Sequence, residues 1–183
     1  MKMMIVYHAV TERPLLPGQT ILLDAEHQNS VGRRVTEKLP LVERIYQDPA
    51  AYKAGELEHH TAVALRELAM EEVRKAKYPQ YPSRMACLYV SRTLEEAEKW
   101  ADFFARIGRP TYAVVRLEIT GRCFIGDAER CFPGSPDRVE NIRLAEKYWA
   151  YPQDGRGNAA VCEMLADGEI RVLETVKEII ANL

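Results

Sequence analysis

Two side chains in apolar, strand-like runs are the first with the means to do chemistry. His8 lies in Met4-Ile5-Val6-Tyr7-His8-Ala9-Val10 and Tyr89 in Leu88-Tyr89-Val90-Ser91. A neutral imidazole carries one donor and one acceptor, so it can fix a hydroxyl group in direction. A tyrosine ring offers a face on which a flat ligand ring can stack. Each also has a plainer reading. Histidine is intermediate in its preference for burial, and tyrosine packs well in a strand. His59 and His60 follow Glu56 and Glu58, but the order is not H-E-x-x-H, so a solvated helix start is expected there rather than zinc. Cys87, Cys123, Cys131 and Cys162 form no C-x-x-C pair and have no histidine at ligand spacing. They read as free, mostly buried thiols without a Cys–His nucleophile signature and with no metal role. No G-x-G-x-x-G or G-x-x-x-x-G-K-[ST] run occurs, which argues against Rossmann and P-loop domains.

These residues must be positioned by the elements around them. Residues 3–10 read as a strand, followed by a Pro-rich turn, Gly18 and a short apolar run at 20–23. The polar stretch 24–34 lacks a period and reads as a loop. Residues 35–52 show helical spacing through Leu39, Val42, Ile45 and Tyr46, broken by Asp48-Pro49. A longer helix is expected over 56–77, with Leu57, Ala64, Leu65, Leu68 and Val73 inward and Arg74, Lys75 and Lys77 in its last turn. Pro79 and Pro82 stop it, and a strand is expected at 85–91. Thr93 reads as the N-cap of the next helix, with Glu96 in position for a capping box and Gly108 at the end. Residues 111–119 form the clearest strand, and 137–148 are helical by period. Tyr148 and Trp149 at that helix end read as packing residues. A Gly-rich loop, 154–158, leads to strand-like runs at 159–165 and 169–176, which read as a hairpin around Ala166-Asp167-Gly168. A strand first, helices in the middle and strands last indicate an α+β fold rather than regular βαβ alternation.

The composition suits one domain. The 183 residues are 47% hydrophobic and 28% charged, and a chain of this length buries roughly 70% of its unfolded surface without staples. Lysine and arginine number 25 against 27 acidic residues, a net charge of −2, so a global basic field for nucleic acid is not indicated. The apolar N-terminal run is too short for a signal sequence, and no stretch approaches the length of a membrane span. A cytoplasmic protein with no membrane partner is expected.

At this level the chain resembles the ADP-ribosyltransferase superfamily. The run Val6-Tyr7-His8-Ala9-Val10 with the later Leu16-Pro17-Gly18 looks like the opening of its bacterial members. Leu88-Tyr89-Val90-Ser91, followed by an acidic helix with Ala97 and Trp100, looks like their second motif. Thr111-Tyr112-Ala113-Val114-Val115 is similar to the strand that follows it. Phe132-Pro133-Gly134-Ser135-Pro136 resembles a segment of rifamycin-modifying members. Pro82-Ser83-Arg84 and Lys147-Tyr148-Trp149 resemble an uncharacterised bacterial and phage branch, so a toxin or defence protein is among the implied roles. The resemblance covers most of the chain apart from residues 31–70, which read as an inserted helical region in a single domain over 1–183.

The resemblance implies a split, mixed β-sheet core and NAD as substrate. It implies that His8, with Ala9 beside it, binds the nicotinamide ribose, and that Tyr89 stacks on the nicotinamide. A glutamate then stabilises the ribose cation and activates the acceptor. Glu163, in Val161-Cys162-Glu163-Met164-Leu165, is the preferred match, with Asp127 in Ile125-Gly126-Asp127 as the alternative. Arg84 is either a surface salt-bridge residue or a bidentate ligand of the NAD pyrophosphate. Ser83 and Ser91 are candidate donors to the same ligand. The implied activity is transfer of ADP-ribose to a protein, nucleic acid or small molecule. Hydrolysis of NAD, or an inactive nucleotide- or protein-binding domain on the same fold, are the alternatives.

Overall fold

The computed structural model describes residues 2–53 and 56–179. Among the described residues, seven strands divide between two sheets. The larger has the spatial order β1 (Met3–Thr11), β4 (Thr111–Thr120), β7 (Gly168–Glu178), β2 (Thr20–Leu23). The smaller runs β3 (Leu88–Val90), β6 (Cys162–Ala166), β5 (Cys123–Asp127). Every ladder is antiparallel, so the chain is α+β and the expected mixed sheet is corrected. A parallel pair needs a crossover back to the same end of the same sheet, and the helices here lead the chain from one sheet to the other or to antiparallel neighbours.

The two sheets share one core. Val6, Val10, Val115, Leu117, Ile119, Ile170 and Val172 of the larger sheet cluster with Val90, Met164 and Ala166 of the smaller. Side chains alternate along β1, so His8 shares a face with Val6 and Val10, while Ala9 packs on the other with Ala97, Ala101 and Val114. Helix α4 (Leu94–Arg106) covers that second face. Its N-cap Thr93 accepts from the Glu96 amide at 3.2 Å. The return bond of the capping box is displaced by one residue, because the Glu96 carboxylate accepts from the Arg92 amide and guanidinium instead.

Residues 166–168 are not a hairpin. β6 pairs with β3 and β5, whereas β7 pairs with β4 and β2. The chain turns a corner from one sheet to the other, and the β4–β5 connection turns the same corner beside it. Arg122 ties the two: its amide donates to Asp167 Oδ1 at 2.8 Å and its guanidinium to Oδ2 at 2.6 and 3.0 Å. Gly168 has φ of 90°, a left-handed conformation that glycine adopts freely.

Helix α1 (Ser30–Gln47) begins inside the stretch read as a loop, because Asn29 caps it by accepting from the Gly32 amide at 2.9 Å. Asn29 also donates to the carbonyls of Arg84 and Cys87, which pins the helix start to the segment that leads into β3. A short α2 (Ala50–Lys53) follows, then α3 (His59–Lys77), which packs on α1 around Val35, Val42, Ile45, Ala64 and Leu65. Helix α5 (Arg138–Trp149) is capped by Asp137 and packs on the other side of α3. The expected strand at 85–91 shortens to three residues, and β5 was not anticipated. All four cysteines are free, but only Cys87 is fully buried. Among the described residues no helix is long and apolar enough to cross a membrane, and no cluster of three His, Cys, Asp or Glu side chains is placed to hold a metal ion.

Candidate functional site

A cavity of about 630 Å³ opens where β1, β3 and β6 meet α1, α3 and α4. His8, Ala9, Tyr89, Ser91 and Glu163 all line it. Two sheets supply these residues, and the backbone joins them at the rim. The Tyr7 amide donates to the Ser91 carbonyl at 2.9 Å, and the Ser91 amide donates back at 2.7 Å.

His8 is held in one tautomer. Its Nδ1 lies 2.6 Å from the Tyr89 carbonyl oxygen; a carbonyl only accepts, so Nδ1 carries the proton and Nε2 keeps its lone pair. Burial, aided by the Arg109 charge and opposed by the Tyr89 carbonyl, lowers the imidazole pKa from 6.5 to about 4. At neutral pH the ring is therefore uncharged, with Nε2 free to accept from a hydroxyl.

Glu163 faces Gly126 across the β5–β6 ladder. Its Oε1 accepts from the Arg84 guanidinium and from the Tyr148 hydroxyl, the latter at 2.5 Å. The side chain retains 13% exposure, so the carboxylate is fixed yet still borders the cavity. Asp127 lies on the other strand with its carboxylate otherwise engaged. It caps a 3₁₀ turn by accepting from the Glu129 amide at 2.9 Å, and it does not line the cavity. Of the two acids, Glu163 is the one that the cavity reaches.

Arg84 is neither a surface residue nor a cavity-lining ligand, which corrects both expectations for it. Its side chain is 5% exposed, and its donors are already engaged inside the protein. Nε donates to Glu67 at 2.9 Å, one terminal nitrogen reaches Glu67 at 3.1 Å, and the other reaches Tyr148 at 2.7 Å as well as Glu163. The guanidinium carbon stands 5.5 Å from the Tyr89 ring centre and 4.9 Å from that of Tyr148, both within cation–π reach. A buried arginine so saturated has no fork left for a pyrophosphate. Ser83 is likewise turned away from the cavity, with its hydroxyl donating to Glu71 at 2.8 Å.

Four participants were given no part in the site by the sequence reading. Glu67 is 1% exposed and borders the cavity from α3, held by Arg84 and by Arg66 at 3.0 Å. Its signal was available: Ala64, Glu67 and Met70 recur on the buried stripe of the helix, and a charge there demands a partner. Tyr148 reads as packing by sequence but contacts Glu163, whereas Trp149 does pack, its indole donating to the Met70 carbonyl at 2.9 Å. Trp100 and Phe104 of α4 complete an aromatic wall of the cavity.

The helical region expected as an insertion borders the cavity, since α1 and α3 supply its far wall. No curated protein matches the chain by sequence. A sequence family described as a protein of unknown function (DUF2441) matches residues 6–178, a span that takes in His8, Glu67, Arg84, Tyr89 and Glu163, and the chain belongs to that family.

Proposed function

We propose that this protein is an ADP-ribosyltransferase that cleaves NAD and passes the ADP-ribose to an acceptor. The observation that carries the reading is the meeting of His8, Tyr89 and Glu163, 155 residues apart at the extremes, around one cavity. Two sheets joined at the Tyr7–Ser91 bridge are compatible with the split core that this reading requires. The cavity volume falls within the roughly 300–1,000 Å³ usual for small-molecule sites.

Each residue has a distinct task. Breaking the bond between nicotinamide and ribose leaves positive charge on the sugar, as in glycoside hydrolysis. The Glu163 carboxylate is placed to stabilise that charge in a site drier than bulk water. The neutral His8, with Nε2 unprotonated, accepts a ribose hydroxyl and orients the sugar. Tyr89 offers its ring to the nicotinamide, an interaction worth about 0.5–1.5 kcal/mol beyond the area buried. Ser91, at the rim, is a further donor to the nucleotide. The bond electrons leave with nicotinamide, and the acceptor nucleophile closes on the ribose carbon as it passes its proton to the Glu163 carboxylate.

Nicotinamide release from NAD tests the reading. Wild-type protein should release nicotinamide, and Glu163→Gln should lower kcat on the order of a hundredfold or more while NAD still binds. No release by the wild type sinks the enzyme reading and leaves a nucleotide- or protein-binding domain. A mass increment on an acceptor marks transfer, and free ADP-ribose alone marks NAD hydrolysis.

A further inference from the structure

We infer that Arg84 and Glu67 are positioning residues for Glu163, with Glu67 offsetting the Arg84 charge so that Arg84 anchors the carboxylate without neutralising it. The inference rests on the transferase reading above. A lone Arg84–Glu163 pair would present zero net charge to the ribose and would weaken the attraction that the reaction needs. The structure has a second anion on the same guanidinium. Glu67 takes the Nε edge and Glu163 the opposite terminal nitrogen, so the three groups together carry one negative charge. Arg66 also pairs with Glu67, at 3.0 Å, and brings the sum over all four groups to zero, but it makes no contact with Glu163, so its charge acts on that carboxylate from farther away than the charge of Arg84.

Burial makes this arrangement consequential. Arg84 and Glu67 are 5% and 1% exposed, so neither charge is relieved by water, and each depends on its partners. Glu67 itself is unsuited to abstract a proton, because both of its oxygens accept from arginine. The Tyr148 hydroxyl completes the anchor: it accepts from Arg84 and donates to Glu163. The part of helix α3 that carries Glu67, which lies outside the resemblance to known transferases, thereby sets the charge around the catalytic carboxylate.

The test combines stability with kinetics in the full chain. If both glutamates share Arg84, the Tm loss of the Glu67→Gln, Glu163→Gln double variant exceeds the sum of the two single losses, because the last anion leaves a buried cation. Additive losses overturn the sharing, and this readout needs no enzymatic activity. In nicotinamide release, Glu67→Gln should lower kcat about tenfold with KM for NAD within about threefold, and Glu67→Asp, which keeps the charge, should restore most of it. An unchanged kcat in Glu67→Gln, or an equal loss in Glu67→Asp, overturns the charge role. Should Glu67→Gln not fold, Glu67→Gln with Arg84→Gln removes both buried charges together and leaves the net charge beside the ribose unchanged, so a fall in kcat at constant KM is expected there from the lost anchor alone; retained kcat overturns the anchoring. Wild-type protein without nicotinamide release overturns the transferase reading, while the thermal cycle still decides whether the charge is shared.

Discussion

His8 gains its usefulness from being prevented from charging. Its pKa lies near 4 in the folded protein against 6.5 for the free side chain, so the unfolded chain binds a proton that the native state refuses. The His8 contribution to stability is therefore complete above about pH 6.5 and is lost as pH falls toward 4, with a ceiling of about 3 kcal/mol. Carboxylates titrate in the same window, so the comparison that isolates His8 is wild type against His8→Gln in urea unfolding at pH 7 and pH 4.5. The wild type should lose more stability over that interval than the variant. Equal losses would show that His8 is protonated as readily in the fold as outside it. The position of His8 was legible from its strand, but its tautomer was not. That depends on the Tyr89 carbonyl, 81 residues away.

At the scale of elements, what could be read depended on whether a segment's signal was local. β1, β4, α4 and α5 carry their own periodicity and caps, and they stand within a few residues of expectation. The failures came where distant residues decide. The apparent hairpin at 166–168 has the sequence of a tight turn, but the Arg122–Asp167 contacts make it a corner between sheets. Arg84 reads as a surface salt-bridge residue or a pyrophosphate ligand until its partner on α3 is known. Gly134, in the loop before α5, shows how closely that helix is gripped. A Cβ there would lie 2.2 Å from the Ala62 carbonyl oxygen and 2.6 Å from the Arg66 amide nitrogen, and backbone atoms have little room to yield. Gly134→Ala should cost roughly 1–3 kcal/mol, measured as a lower urea midpoint. Because the displaced turn carries Arg66 and Glu67, nicotinamide release should fall with it; an unchanged midpoint would mean that the loop and α3 separate easily.

For the whole molecule, the cavity couples ligand binding to folding. It draws residues from both sheets and from three of the helices, so a ligand that fills it contacts only the folded state. NAD at a hundredfold excess over its Kd should stabilise the protein by about 2.7 kcal/mol, which for a domain of this size is a rise of about 5–10 °C in Tm. A flat melting curve at millimolar NAD would count against the site. The expected charge balance fits a small-molecule site more readily than a nucleic-acid surface, since the arginines that border the cavity include Arg66 and Arg109, paired with Glu67 and Glu12.

The strand order has a bearing on synthesis. β6 lies between β3 and β5, and β7 between β4 and β2, so two consecutive late strands take the interior position of the smaller sheet and one of the two in the larger. A chain emerging from the ribosome can pair β1 with β4 early, but β2, β3 and β5 wait for neighbours that are made afterwards. Since proteins fold as their segments become available, and pairing of strands distant in sequence is slow, the nascent chain holds His8 and Tyr89 in an unfinished scaffold until residues 162–178 arrive. Glu163 comes with the strand that closes the smaller sheet, which makes the appearance of the acid and the completion of its cavity a single late event.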